Sequence, residues 1–160
     1  KLIRRHPHVF GEQSVETEDD VKTLWEANKV KERSSKGQDS ALAGVAMTLP
    51  ALIRAQKLQK RAAKVGFQWQ DSAQAKKKVL EEVAEIETAA NETLEEEFGD
   101  LLLASVAWAN WHKVDAEQAL RKANQKFEQR FNQMEQINQG SIHNLDLNEK
   151  IDLWKKAKMS

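Results

Sequence analysis

Two acidic groups carry most of the chemistry this chain could perform. Glu81 and Glu82 are followed by Glu85, and Glu97 is followed by Asp100. In a helix, a spacing of three places Glu82 with Glu85, and Glu97 with Asp100, on a common face. Two such helices folded against each other bring four carboxylates together. Like charges repel at that range unless a cation lies between them, and hard divalent cations prefer oxygen ligands. Glu82, Glu85, Glu97 and Asp100 therefore read as a site for Mg2+, with Mn2+ as a possible substitute.

The competing reading is a solvated acidic surface, and helical projection argues against it. Glu82 and Glu85 fall beside Val79, Val83 and Ile86, while Glu97 and Asp100 share a face with Leu94, Leu101, Ala104 and Trp108. Acids placed for solubility fall opposite the apolar face, as Glu87 and Glu95 do. A carboxylate at the margin of a core needs a proton, an ion pair or a metal. A di-iron carboxylate site would require Glu-x-x-His, but the residues three before His6, His8, His112 and His143 are Ile3, Arg5, Ala109 and Gly140.

Basic and aromatic residues supply a second set. In Ala123-Asn124-x-Lys126-Phe127-x-x-Arg130-Phe131, the pair Lys126 and Arg130 can meet one anion. Alone they read as a basic flank over a core stripe formed by Leu120, Phe127, Phe131 and Met134. Beside a metal, arginine clamps phosphate in bidentate fashion. Lys78 falls on the side of Glu82 and Glu85, whereas Lys76 and Lys77 read as a solvated turn. Trp154 and Lys158 are spaced as an aromatic plate with a nearby cation. Trp25, Trp69, Trp108 and Trp111 read as core or dimer packing, and His6 and His8 as loop residues.

Helices must position these groups. Among 160 residues there are six glycines, two prolines, no tyrosine and no cysteine, a balance that favours helix and excludes disulfides and thiolate chemistry. The 25 basic and 25 acidic residues cancel, so nothing suggests a surface for nucleic acid. No apolar run approaches a membrane span, and a cytoplasmic protein is expected. Helix signals run over about 17–30, fade in the polar stretch 34–40, and resume at Pro50 until Gly66. Asp71 or Ser72 can cap a helix over 72–90, and the short connection at 89–92 makes its successor an antiparallel neighbour. Thr93-x-x-Glu96, Asp115-x-x-Gln118 and Asp146-x-x-Glu149 have the form of capping boxes. The fold class is all-α, an antiparallel helical bundle.

Three stretches strongly resemble the MazG nucleoside triphosphate pyrophosphohydrolases. They are Leu80-Glu81-Glu82-Val83-Ala84-Glu85, Leu94-Glu95-Glu96-Glu97-Phe98-Gly99-Asp100-Leu101-Leu102, and 122–131 with its Ala-Asn-x-Lys-Phe-x-x-Arg-Phe run. The resemblance covers roughly 48–158. The opening Arg4-Arg5-His6-Pro7-His8-Val9-Phe10-Gly11 resembles the end of the first of two tandem MazG domains. It implies an N-terminal extension, inter-domain helix and linker over 1–40 and a MazG-type domain over 41–160.

The resemblance further implies Mg2+-dependent hydrolysis of ribo- and deoxyribonucleoside triphosphates to the monophosphate and pyrophosphate, with low base selectivity. It implies a bundle completed by homodimerisation. Glu82, Glu85, Glu97 and Asp100 take the metal-ligand positions, while Lys78, Lys126 and Arg130 take phosphate-contacting ones, with Glu96 near the substrate. Trp154 and Lys158 match residues that approach the nucleotide from the C-terminal helix, in the partner subunit. Water is expected to attack the α-phosphorus in line, with Glu81 or Glu82 orienting or deprotonating it. The alternative is a nucleotide-binding regulatory or dimerisation domain without turnover.

Overall fold

The computed structural model describes residues 40–159. The expected helix over 17–30, His6, His8, Trp25 and residues 34–39 of the linker lie outside the described residues. Five helices follow in order: α1 (Ala51–Lys64), α2 (Ser72–Thr88), α3 (Leu94–Trp111), α4 (Ala116–Ile137) and α5 (Leu147–Met159). No strand occurs among the described residues. The described residues are all-α, as composition and periodicity predict.

The described residues divide into two compact units, one of 40–50 with 57–68 and the other of 51–56 with 69–159. In the first, Arg61 donates to the Leu42 carbonyl at 3.2 Å and the Gly44 carbonyl at 3.4 Å, tying the turns of 40–50 to the end of α1. Pro50, where the helix signals resume, stands at the N-cap of α1. Gly66, at φ 85°, ends the helix as Phe67 N–H returns to the Ala62 carbonyl and Gly66 N–H to that of Ala63.

In the second unit, α2 and α3 form an antiparallel hairpin, and α4 and α5 form another. Buried Ala75 on α2, and Ala104 and Val106 on α3, line the interior of the first hairpin. Met134, Ile142, Leu153 and Ala157 form the core of the second, with Leu145 and Trp154 packed against it. Asp71 caps α2 by accepting from Gln74 N–H at 2.8 Å, and Asp115 caps α4 by accepting from Gln118 N–H at 3.0 Å. Asp146 and Glu149 make the complete reciprocal box at α5, with bonds of 2.8 and 2.9 Å.

Two expectations need correction. Thr93 makes no side-chain cap on α3, because its hydroxyl donates to the Ala90 carbonyl in the preceding turn. Of the α4 stripe only Met134 is buried, whereas Leu120, Phe127 and Phe131 are 50%, 58% and 39% exposed. The apolar period of α4 is present, but the packing of α5 against it leaves these three side chains substantially exposed. Leu80, Phe98, Leu102 and Ile151 are likewise left outward on the other three helices of this unit.

Candidate metal centre

Antiparallel pairing of α2 and α3 sets Glu97 across from Glu82 and Glu85. One carboxylate oxygen from each of the three lies within 4.8 Å of the other two. Glu82 is 3% exposed, which is unusual for a glutamate, while Glu97 is half-buried and Glu85 exposed. Glu82 Oε1 lies 2.6 Å from Lys78 Nζ, and that ammonium is 3.8 Å from Glu85 Oε2. The second oxygen of Glu82 is buried with no hydrogen-bond partner.

This crowding moves protons. The Glu85 carboxyl is pushed above the ordinary carboxylate value, chiefly because the neighbouring Glu82 carboxylate can share its proton. The Lys78 charge opposes that rise, and desolvation with the charges of Glu82 and Glu97 supports it. The orphaned Glu82 oxygen and this shared proton express one condition: the group lacks positive charge. The Lys78 ammonium is held above its usual value first by its hydrogen bond to Glu82, against the opposing effect of burial.

The remaining sequence candidates are placed as follows. Asp100, less than one turn beyond Glu97 on α3, is exposed and stands outside the three-carboxylate group. Glu81 is exposed and paired with Lys77 at 3.3 Å. Glu96, Lys126 and Lys158 are exposed. Arg130 and Trp154 come together, with the guanidinium carbon 5.8 Å from the indole centroid, in the range of a cation–π contact. Phe127 joins them with its ring centroid 5.4 Å from Trp154 and 6.2 Å from Phe131. The structure thus presents a carboxylate–lysine group on the α2–α3 hairpin and an aromatic–arginine group on the α4–α5 hairpin.

A contact not anticipated from sequence closes the other end of the α2–α3 hairpin. Trp108 Nε1 donates to Ser72 Oγ at 3.2 Å, and Ser72 Oγ lies 3.0 Å from His112 Nε2. With the indole as donor, the serine hydroxyl is free to donate to a neutral imidazole protonated at Nδ1. A half-buried indole N–H needing an acceptor was the available signal.

Residues 70–134 match the pattern of the MazG nucleotide pyrophosphohydrolase domain. They therefore belong to the MazG family. Both acidic helices and the Lys126/Arg130 pair fall within the match, while Trp154 and Lys158 lie beyond it. The MazG likeness extends further in curated relatives. A nucleoside triphosphate pyrophosphohydrolase of Escherichia coli is 44% identical over 167 residues, covering 99% of this chain and 64% of that protein. A nucleoside triphosphate pyrophosphohydrolase/pyrophosphatase MazG of Thermotoga maritima is 38% identical over 162 residues, covering 99% and 62%. The uncharacterized protein YabN of Bacillus subtilis is 40% identical over 166 residues, covering 99% and 34%. The chain spans less than two thirds of the length of these three relatives.

Proposed function

We propose that this MazG domain hydrolyses nucleoside triphosphates to the monophosphate and pyrophosphate, with Mg2+ as cofactor and little preference among bases. The observation that carries this reading is the group of Glu82, Glu85 and Glu97, whose oxygens lie within 4.8 Å of one another inside the MazG match. The printed names of the E. coli and T. maritima relatives support the reaction class.

The residues fit a hard divalent cation. Every donor is a carboxylate oxygen, and a buried Glu82 oxygen without a partner is the kind of atom that a cation satisfies. Glu82, Glu85 and Glu97 would hold the ion, with Asp100 as a fourth carboxylate from α3. Bound there, Mg2+ would offset the negative charge of the group and polarise phosphoryl oxygens.

The chain's own residues do the rest. Glu81 or Glu82 takes the proton from the attacking water. The new bond joins the water oxygen to the α-phosphorus, and the bond to the β-phosphate bridging oxygen breaks, releasing pyrophosphate. Lys78, Lys126 and Arg130 neutralise the charge that accumulates on the departing group. Trp154 offers a flat apolar face that suits any base, which accords with low selectivity, and its contact with Arg130 places plate and cation together. Lys158 lies on the same helix, and Glu96 on α3 serves as a substrate-side residue. Apolar faces left outward on α2–α5 favour a homodimer as the working form in the cytoplasm.

Incubation with each of the eight common triphosphates and Mg2+, followed by product identification, tests this reading. Monophosphate and pyrophosphate are expected from all eight. Binding without turnover would leave a regulatory nucleotide-binding domain instead.

A further inference from the structure

Within the three-carboxylate group, the positive charge is supplied by the chain itself. Lys78 Nζ lies 2.6 Å from Glu82 Oε1 and 3.8 Å from Glu85 Oε2. We propose that Lys78 is a placeholder cation: its ammonium occupies the acidic group of the metal-free domain, and a divalent cation displaces it, freeing it for the phosphates of an incoming nucleotide. The proposal rests on the reading of Glu82, Glu85 and Glu97 as a metal site.

Three observations favour displacement over a permanent pair. First, the ammonium serves the group incompletely. Among the described residues no ion pair joins it to Glu97, and the buried Glu82 Oε2 keeps no partner. Three carboxylates outweigh one monovalent charge, whereas a dication seated among oxygens 4.8 Å apart or less can reach all of them. Second, two cations in so small a space repel, so the lysine cannot remain when the metal arrives. Third, leaving is easy. The Lys78 side chain is 31% exposed on a flexible four-carbon stem, against 4% for Glu82, and can swing outward without backbone change. Neighbouring Lys77 is unsuited to this role, because its partner Glu81 lies outside the group.

The consequence is an order of events built into one side chain. Without metal, Lys78 is engaged with carboxylates and unavailable to phosphate. With metal, it is released beside the site that the triphosphate must enter. Metal and nucleotide affinities are then coupled, each raising the other.

Mg2+ alone, without nucleotide, is the probe. Calorimetric titration and thermal melting would compare the native chain with Lys78→Met, Lys78→Gln and, as a control for loss of one charge, Lys76→Met. Both Lys78 variants should bind Mg2+ roughly three- to tenfold more tightly than the native chain, and Lys76→Met within about twofold. Metal-free Lys78→Met should melt roughly 2–6 °C lower, and Mg2+ should raise its Tm by more than it raises that of the native chain. Unchanged or weaker Mg2+ binding in the Lys78 variants would overturn the placeholder role. If the native chain itself bound no Mg2+, and Glu97→Gln made no difference, the metal-site reading would fall first. Should the variants fail to fold, the Lys78 ammonium resonance of the native chain decides: it should be observable without metal and broaden on titration with Mg2+. A signal unaltered at saturation would count against displacement.

Discussion

Trp108 Nε1 donates to Ser72 Oγ at 3.2 Å, joining the C-terminal part of α3 to the first turn of α2. This bond and the carboxylate group belong to one antiparallel register, roughly 15 Å apart along α2 at the usual helical rise. A slip of either helix that separated Glu97 from Glu82 would also part the indole from the serine. Ser72→Ala should therefore destabilise the chain by about 1–2 kcal/mol, because it leaves a half-buried indole N–H without its acceptor. Ser72→Thr, which keeps the hydroxyl, should recover most of the loss. Urea unfolding measures both, and an alanine variant as stable as the native chain would remove the clasp from the account.

Loss of a carboxylate should separate chemistry from folding. Glu97→Gln keeps the side-chain volume, so its Tm without metal should stay near native, while the Tm rise on adding Mg2+ disappears. Turnover should drop about 10²–10³-fold, the scale for losing one preorganised charge contact. Asp100→Asn, altering an exposed residue, should leave the metal-free Tm unchanged and lower turnover in the same direction. Steady-state rates with melting curves report both effects. Native turnover in Asp100→Asn would confine the ligand set to three glutamates.

Acidity should weaken metal binding. The Glu85 carboxyl, raised by the adjacent Glu82, holds a proton above the usual value of 4.5, and that proton must leave before its oxygens can ligate. Apparent Mg2+ affinity should therefore fall as pH drops from neutral toward that raised value, with protons released on binding. For the metal-free fold the sign is opposite. The shared proton contributes stability that is fully present below 4.5 and is lost as pH rises through the raised value. Calorimetry in two buffers of different ionisation enthalpy counts the protons released. No proton release across that window would mean that Glu85 is not a ligand.

Among the described residues three helices end in the same way, and only one of the three does so on glycine. Lys113 at φ 56° and Gln139 at φ 57° occupy the left-handed position that Gly66 occupies after α1. Each closes the six-residue return bond, Val114 to Ala109 and Gly140 to Glu135. A side chain there is strained, so Lys113→Gly and Gln139→Gly should each stabilise by about 0.5–1 kcal/mol. Denaturant midpoints should rise without a change in activity, because neither residue touches the carboxylate group.

The legible and illegible parts of the fold divide along the range of the interaction. The closeness of Glu82, Glu85 and Glu97 follows from i,i+3 spacing and a short connection, both of them local. The exclusion of Asp100 from the close group depends on how nearly α3 approaches α2, which no spacing encodes. Asp115 and Asp146 cap as their sequences predict, whereas Thr93 turns its hydroxyl back to donate to Ala90 rather than accept from the helix N–H groups, a choice between two equally local partners. The ends at Lys113 and Gln139 carry no glycine to mark them. Periodicity revealed the apolar face of α4 but not what covers it, so Phe127 and Phe131 are read correctly as a stripe and wrongly as interior. The Ser72–Trp108 contact joins residues 36 apart in sequence, and its one signal, an indole N–H in need of an acceptor, does not name the partner.

Glu82, Glu85 and Glu97 would hold the metal beside which water attacks the α-phosphorus of a nucleoside triphosphate. Turnover of one such substrate in ¹⁸O-labelled water with Mg2+, followed by mass spectrometry of the products, tests it directly. Label is expected in the nucleoside monophosphate, with unlabelled pyrophosphate and no reaction when Mg2+ is chelated. Label in pyrophosphate, release of orthophosphate with a nucleoside diphosphate, or undiminished turnover without a divalent cation would contradict it.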